Sequence, residues 1–305
     1  MIGLHDLKRK RDSESLMGVA LAAPALLVFL VFFVYPNLEV AYLSLFNWAG
    51  ISKLKTFVGL DNYAELIFRD EVFRKAIVNT AVIALQSIVI QIPAALAISV
   101  ALNRRLALGR LFMTIFFLPT VISLVATGMI WSLMYDPSFG SINLLLGVLG
   151  LERLQPAWLG DPSTALLAVI ITINWVYVGL YAVILSSALK TIPQSVFDSA
   201  KVDGLSEFAT TVRITAPMLR EVIAVLVVMS VSGSFKSFDL IWSMTGGGPV
   251  NSTEIVTTHL YKMAFRYMRS GYASAIGVCI FLICLAITAV QLKAMKVRAA
   301  GRREG

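Results

Sequence analysis

Six stretches of roughly 20 mostly apolar residues recur along this chain, and each is long enough to cross a bilayer as a helix. They cover residues 16–38, 77–102, 111–133, 164–189, 222–244 and 272–292. Inside hydrocarbon every backbone N–H and C=O must find a partner within the protein, which favours helices. The expected fold class is therefore all-α: a polytopic membrane protein with six transmembrane helices. Pro24, Pro93 and Pro119 fall inside three of the stretches. Neighbouring membrane helices can re-satisfy the groups a proline frees.

Composition agrees. Hydrophobic residues make up 58% of the 305 and charged residues only 14%, against about 45–50% and about 25% in soluble domains. The first stretch has a signal-peptide-like basic lead, Lys8-Arg9-Lys10-Arg11. Its small residues, Ala20 to Ala23, stand near the start of the apolar run, whereas a cleavage site follows it. An uncleaved anchor is expected.

With the N-terminus in the cytoplasm, cytoplasmic segments carry sixteen of the 26 Lys and Arg, and external segments nine. That bias has the sign of the positive-inside rule, so both termini are expected in the cytoplasm. External acids balance the external bases, which puts the whole net charge of +8 on the cytoplasmic side. Orientation and anionic lipid account for it, and no nucleic-acid partner is needed. The chain then divides into a cytoplasmic segment (1–15), a first span (16–38), an external loop (39–74), a five-span core (75–292) and a cytoplasmic tail (293–305). Cys279 and Cys284, five residues apart, point to different helix faces, and His5 and His259 stand far apart. No metal site is expected.

The cytoplasmic connection 190–221 is too long for a turn and too apolar for a linker. Ser195 with Asp198 resembles a capping box, a short helix should run to about Asp203, and Gly204 suits the left-handed turn that closes it. Ser206 can cap a second helix that Pro217 limits. The result is a two-helix elbow at the membrane surface. A connector resting Val196, Phe197, Val202 and Phe208 on headgroups is the other account of the same pattern.

Asp198-Ser199-Ala200, then Asp203-Gly204, Ile214 and Pro217, resemble the cytoplasmic "EAA" signature of ABC importer permeases. The chain departs from it with Asp198 for Glu, Ser199 for Ala and Leu205 for Ala. Val58-Gly59-Leu60-Asp61-Asn62-Tyr63, Val78-Asn79-Thr80, Met129-Ile130-Trp131 and Phe238 to Pro249 are similar to the carbohydrate branch. Together these matches span nearly the whole chain. The resemblance implies a type I importer permease (MetI-like) fold over the five-span core. It also implies a homologous second permease, two ATPase subunits that bind ATP and Mg, an external solute-binding protein, and a bacterial-type inner membrane. Val196, Phe197, Asp198, Ala200, Asp203 and Gly204 would couple to the ATPase, and this chain would carry no cofactor.

Polar residues inside spans are costly and mark pathways. The fourth span offers Asn174, Tyr177 and Tyr181 on one face, and the fifth offers Ser230, Ser234 and Ser237, with Lys236 and Asp239 close behind. Hydroxyls and amides beside aromatic rings suit a sugar, and maltose-type permeases draw their sugar site from these two spans. The same small residues also serve as glue between helices. The expected function is import of a mono-, di- or oligosaccharide. A polyol or glycerol phosphate derivative is an alternative substrate, and an ion-coupled secondary transporter a more distant alternative. The sequence has no HExxH, GxSxG or phosphate-binding Gly-Lys-Ser/Thr loop, so the chain is not expected to be an enzyme.

Overall fold

A computed structural model describes residues 21–103 and 108–300. The expected segment 1–15, the start of the first span, Arg104, Arg105 and the end of the tail lie outside the described residues. The helices are α1 (Leu21–Leu43), α2 (Asp61–Phe68), α3 (Glu71–Leu102), α4 (Gly109–Val121), α5 (Leu124–Met134), α6 (Ser141–Val148) and α7 (Ala165–Leu189). They continue with α8 (Gln194–Val202), α9 (Glu207–Met218), α10 (Arg220–Ser234), α11 (Asp239–Met244), α12 (Val256–Tyr261) and α13 (Ser270–Ala300). A short ribbon pairs β1 (Phe46–Asn47) with β2 (Thr56–Phe57).

Among the described residues, four helices are long and apolar enough to cross a membrane: α1, α3, α7 and the Ser270–Gln291 part of α13. Counting each bent pair, α4 with α5 and α9 with α10, as one span brings the number to six. The expected third span, 111–133, is therefore not one rod, because α4 and α5 meet at 101°. Pro119 sits in a 3-10 turn (Leu118–Val121) and Ile122 is extended, so the proline ends the helical ladder it cannot donate to. The expected fifth span, 222–244, is also interrupted. α10 stops at Ser234, and α11 folds back beside α5. There Gly128 lies so close to Ser243 and the Leu240 carbonyl that a Cβ would overlap them. The intervening turn keeps its backbone paired: Lys236 N–H donates to Gly233 O at 3.0 Å, and the Thr257 hydroxyl to Ser237 O at 2.5 Å.

Other prolines are absorbed without a break. Pro36, Pro93 and Pro217 each follow one widened π turn: Leu30–Val34, Ser87–Gln91 and Thr211–Thr215. In each case the residue before the proline donates five positions back, as Ile92 N–H does to Ser87 O. The extra residue moves the carbonyl that the ring would strike, so the helix continues.

Residues 66–262 with 279–305 form one compact part. Among its described residues are two apolar clusters. One gathers Ile83, Trp131, Tyr135, Ile173, Leu240 and Ile255, and the other Ile92, Tyr181, Leu185, Leu189, Leu219 and Leu226. The described residues 21–65 with 263–278 form the other part. Its hairpin is tied by Asn62, which donates to the Ser44 and Phe46 carbonyls at 2.7 and 3.0 Å, while the Tyr63 and Ser44 hydroxyls share a bond of 2.6 Å. Arg269 grips Glu65 through two bonds of 2.8 and 2.7 Å.

Candidate functional site

The expected polar face of the fourth span lies on α7. Asn174 is half-buried and donates to Gln86 Oε1 of α3 at 2.9 Å and to Ile170 O at 2.8 Å. Its own Oδ1 is buried with no hydrogen-bond partner among the described residues. An acceptor stranded in a low-dielectric site is costly unless something fills it. Tyr177 is half-buried against the first apolar cluster, within electrostatic range of Asp239 and Tyr181, and Tyr181 is buried in the second cluster.

The serines behave differently. Ser230 and Ser234 are buried in α10, and each hydroxyl donates back to its own helix, to Val227 O at 3.1 Å and Ser230 O at 2.9 Å. Ser237 lies beyond the end of α10, so the expected three-serine face does not exist as one helical stripe. The interruption at 235–238 takes Ser237 off the helix. Asp239 is exposed in the first turn of α11. Gln86 and Gln91, not among the expected residues, are both buried in α3, the latter donating to Ile173 O at 3.4 Å. Two amides inside an apolar run were the available signal.

The expected elbow forms with one change at its start. Pro193 precedes α8 and no side chain caps it. Ser195 lies inside the first turn because Pro193, already extended (φ −58°, ψ 140°), starts the helix earlier. Asp198 instead accepts from Gln194 Nε2 at 3.1 Å. α8 closes as expected at Gly204, whose φ is +73°. Gly204 N–H donates to Lys201 O at 3.1 Å, and Leu205 N–H to Ala200 O at 3.0 Å, the paired bonds of a Schellman closure. Ser206 caps α9, accepting from Ala209 N–H at 3.2 Å.

The expected apolar anchors Val196 and Phe197 are half-buried. Val196 and Phe197 pack into the chain's own second cluster, and Ala200 is buried. Helical periodicity turns them inward and leaves Val202 (88% exposed) and Phe208 (80% exposed) on the outer side of the elbow. Asp198 and Asp203 are exposed. A cleft of about 600 Å³ lies inside the elbow, lined in part by Asn103, Gln194, Asp198, Lys201 and Glu207.

At the opposite end, Asn79 of α3 donates to the carbonyls of Ser252 and Glu254 at 3.0 and 2.8 Å, and Thr80 accepts from Val256 N–H at 3.3 Å. Glu254 is fully buried and ion-paired with Lys262, and His259 bonds Asp70 at 2.8 Å. The Val78-Asn79-Thr80 motif is thus a clamp on the loop before α12.

Residues 91–293 match the family described as binding-protein-dependent transport system inner membrane component. The chain is 40% identical over 272 residues to the probable ABC transporter permease protein YurN of Bacillus subtilis (strain 168), covering 88% of this chain and 93% of that protein. It is 33% identical over 296 residues to the lactose transport system permease protein LacF of Rhizobium radiobacter, covering 96% and 97%. Its fold is similar, with a TM-score of 0.79 over 95% of this chain and 98% of the other, to a chain in the crystal structure of a bacterial ABC transporter involved in alginate import. At 24% identity, that likeness is one of fold.

Proposed function

Because this chain belongs to the family of binding-protein-dependent transport system inner membrane components, we propose that it is the permease subunit that carries a sugar into the cytoplasm. ATP is hydrolysed by two partner ATPases that dock on the α8–α9 elbow. The observation that carries this reading is the elbow itself: two short helices locked by the Gly204 closure, presenting Val202 and Phe208 outward. An apolar pair on a rigid cytoplasmic projection suits a protein groove, since burial of its area drives docking. Closure of the ATPases then moves α8 as a body, and α8 packs through Val196 and Phe197 against the apolar cluster that also holds the span residues Leu185 and Leu226.

Sugar is favoured as cargo by the Asn174, Tyr177 and Tyr181 face, which offers a buried carbonyl acceptor beside aromatic rings. The relation to a lactose permease supports the same class. A homologous permease supplies the other half of the path, a solute-binding protein delivers cargo from outside, and both termini lie in the cytoplasm. The test is reconstitution of the chain with its second permease, ATPases and binding protein in liposomes. Uptake of a labelled mono-, di- or oligosaccharide that requires ATP and the binding protein is the expected result. Uptake driven by an ion gradient without ATP would overturn it.

A further inference from the structure

We propose that α6 is an interfacial anchor, a helix lying in the headgroup layer with its apolar stripe against lipid acyl chains. Leu144, Leu145, Val148 and Leu149 are exposed, Val148 by 85%, and Phe139 and Leu151 extend the patch at either end. In water such a patch is a liability, and it marks a surface that something covers. The helix cannot roll to hide it. Asn143 on the opposite side accepts the Trp158 indole N–H at 2.8 Å, and its carbonyl takes the Gln155 amide at 2.8 Å. Ile142 packs into the apolar cluster beneath.

Two observations select lipid as the cover. First, α6 rests on an aromatic layer: Trp131 and Tyr135 rings are 5.4 Å apart, and Tyr135 and Trp158 rings 5.6 Å apart. Of these three rings Trp158 keeps part of its surface open, and Trp concentrates at the membrane–water boundary, which fits headgroup depth for α6. Second, the patch continues an exposed apolar surface on the preceding span segment, where Met129, Ile130 and Leu133 of α5 face outward. A surface helix with one apolar stripe beside such a span lies in the interface plane. The proposal needs the span assignment but not the choice of which side is outside. It adds a fixed lipid contact beside α5, in the part of the chain that also carries Asn174.

The test places a nitroxide at Val148→Cys, and separately at Leu144→Cys, in a chain carrying Cys279→Ala and Cys284→Ala, within the complete transporter in liposomes. Relaxation by oxygen should exceed relaxation by a nickel chelate at both positions, as at a Leu133→Cys control. The order should reverse at Val250→Cys, in an exposed loop. Chelate dominating at both positions would put the stripe in water and overturn the proposal. Protection from both reagents would assign the stripe to a protein partner and also overturn it. A water profile at Leu133 would remove the span assignment together with the anchor.

Discussion

Asn174 of α7 donates its side-chain amide to Gln86 Oε1 of α3 at 2.9 Å, which leaves the Asn174 oxygen buried without a partner among the described residues. The pair joins two span-length helices and orients an acceptor that no donor among the described residues takes. A sugar hydroxyl is a donor of the right kind.

Asn174→Ala should therefore weaken sugar uptake while leaving the transporter assembled and its basal ATP hydrolysis intact. A lost buried hydrogen bond is worth about 1–3 kcal/mol, roughly 5- to 150-fold in affinity. Gln86→Ala, which only frees the orientation of Asn174, should have the smaller effect. Uptake kinetics in liposomes decide it, and unchanged kinetics in both variants would assign the pair to packing.

Gly204→Val should separate ATP hydrolysis from transport. The position is open, with nothing near a built Cβ, so the penalty comes from the backbone at φ +73°. A side chain there costs about 1–2 kcal/mol, and a β-branched one strains most. Gly204→Asn should be milder. Hydrolysis stimulated by loaded binding protein, measured beside uptake, reads the effect, and full stimulation in the valine variant would remove the closure from coupling.

Val202→Ser and Phe208→Ser should lower ATPase association with little change in the thermal stability of the isolated permease. Phe197→Ala should do the reverse, because Phe197 packs in the chain's own cluster. For a half-buried ring the loss is roughly half the 3–5 kcal/mol of a fully buried one. Co-purification of the ATPase and melting of the detergent-solubilised chain separate the two effects.

Asn79→Ala should destabilise the loop before α12 and leave ATPase association untouched. It orphans two carbonyls that Asn79 now satisfies, at about 1–3 kcal/mol in total. A lowered melting temperature and faster proteolysis near Asn251 are the expected outcomes.

Orientation is checked by single cysteines at Ser52 and Ser199 in the background lacking Cys279 and Cys284. Both sites are exposed. An impermeant thiol reagent should label Ser52→Cys in intact cells and spare Ser199→Cys. The inverse pattern would put the elbow on the wrong side for an ATPase.

The helical class, the apolar segments and the elbow were legible in the sequence because they rest on local physics. Length and apolarity mark a segment able to cross lipid, Gly204 is permitted where φ is +73°, and Ser206 carries its cap oxygen in its own side chain. The breaks at Ile122 and at 235–238 were not legible, since apolarity is the same whether a helix continues or folds back. Whether a proline bends a helix, as at Pro119, or is absorbed in a π turn, as at Pro93, depends on what packs beside it. The same holds for direction. A stretch with Val196, Phe197, Val202 and Phe208 has too many apolar residues for the sequence to say which face is inside. Packing against the second apolar cluster half-buried the first two and left the others exposed. By itself the sequence determined what could enter the membrane and where the chain could turn. Only tertiary structure decided which polar groups were satisfied within the protein and which, like the Asn174 oxygen, were left open, because a hydrogen-bond partner 88 residues away is a property of packing.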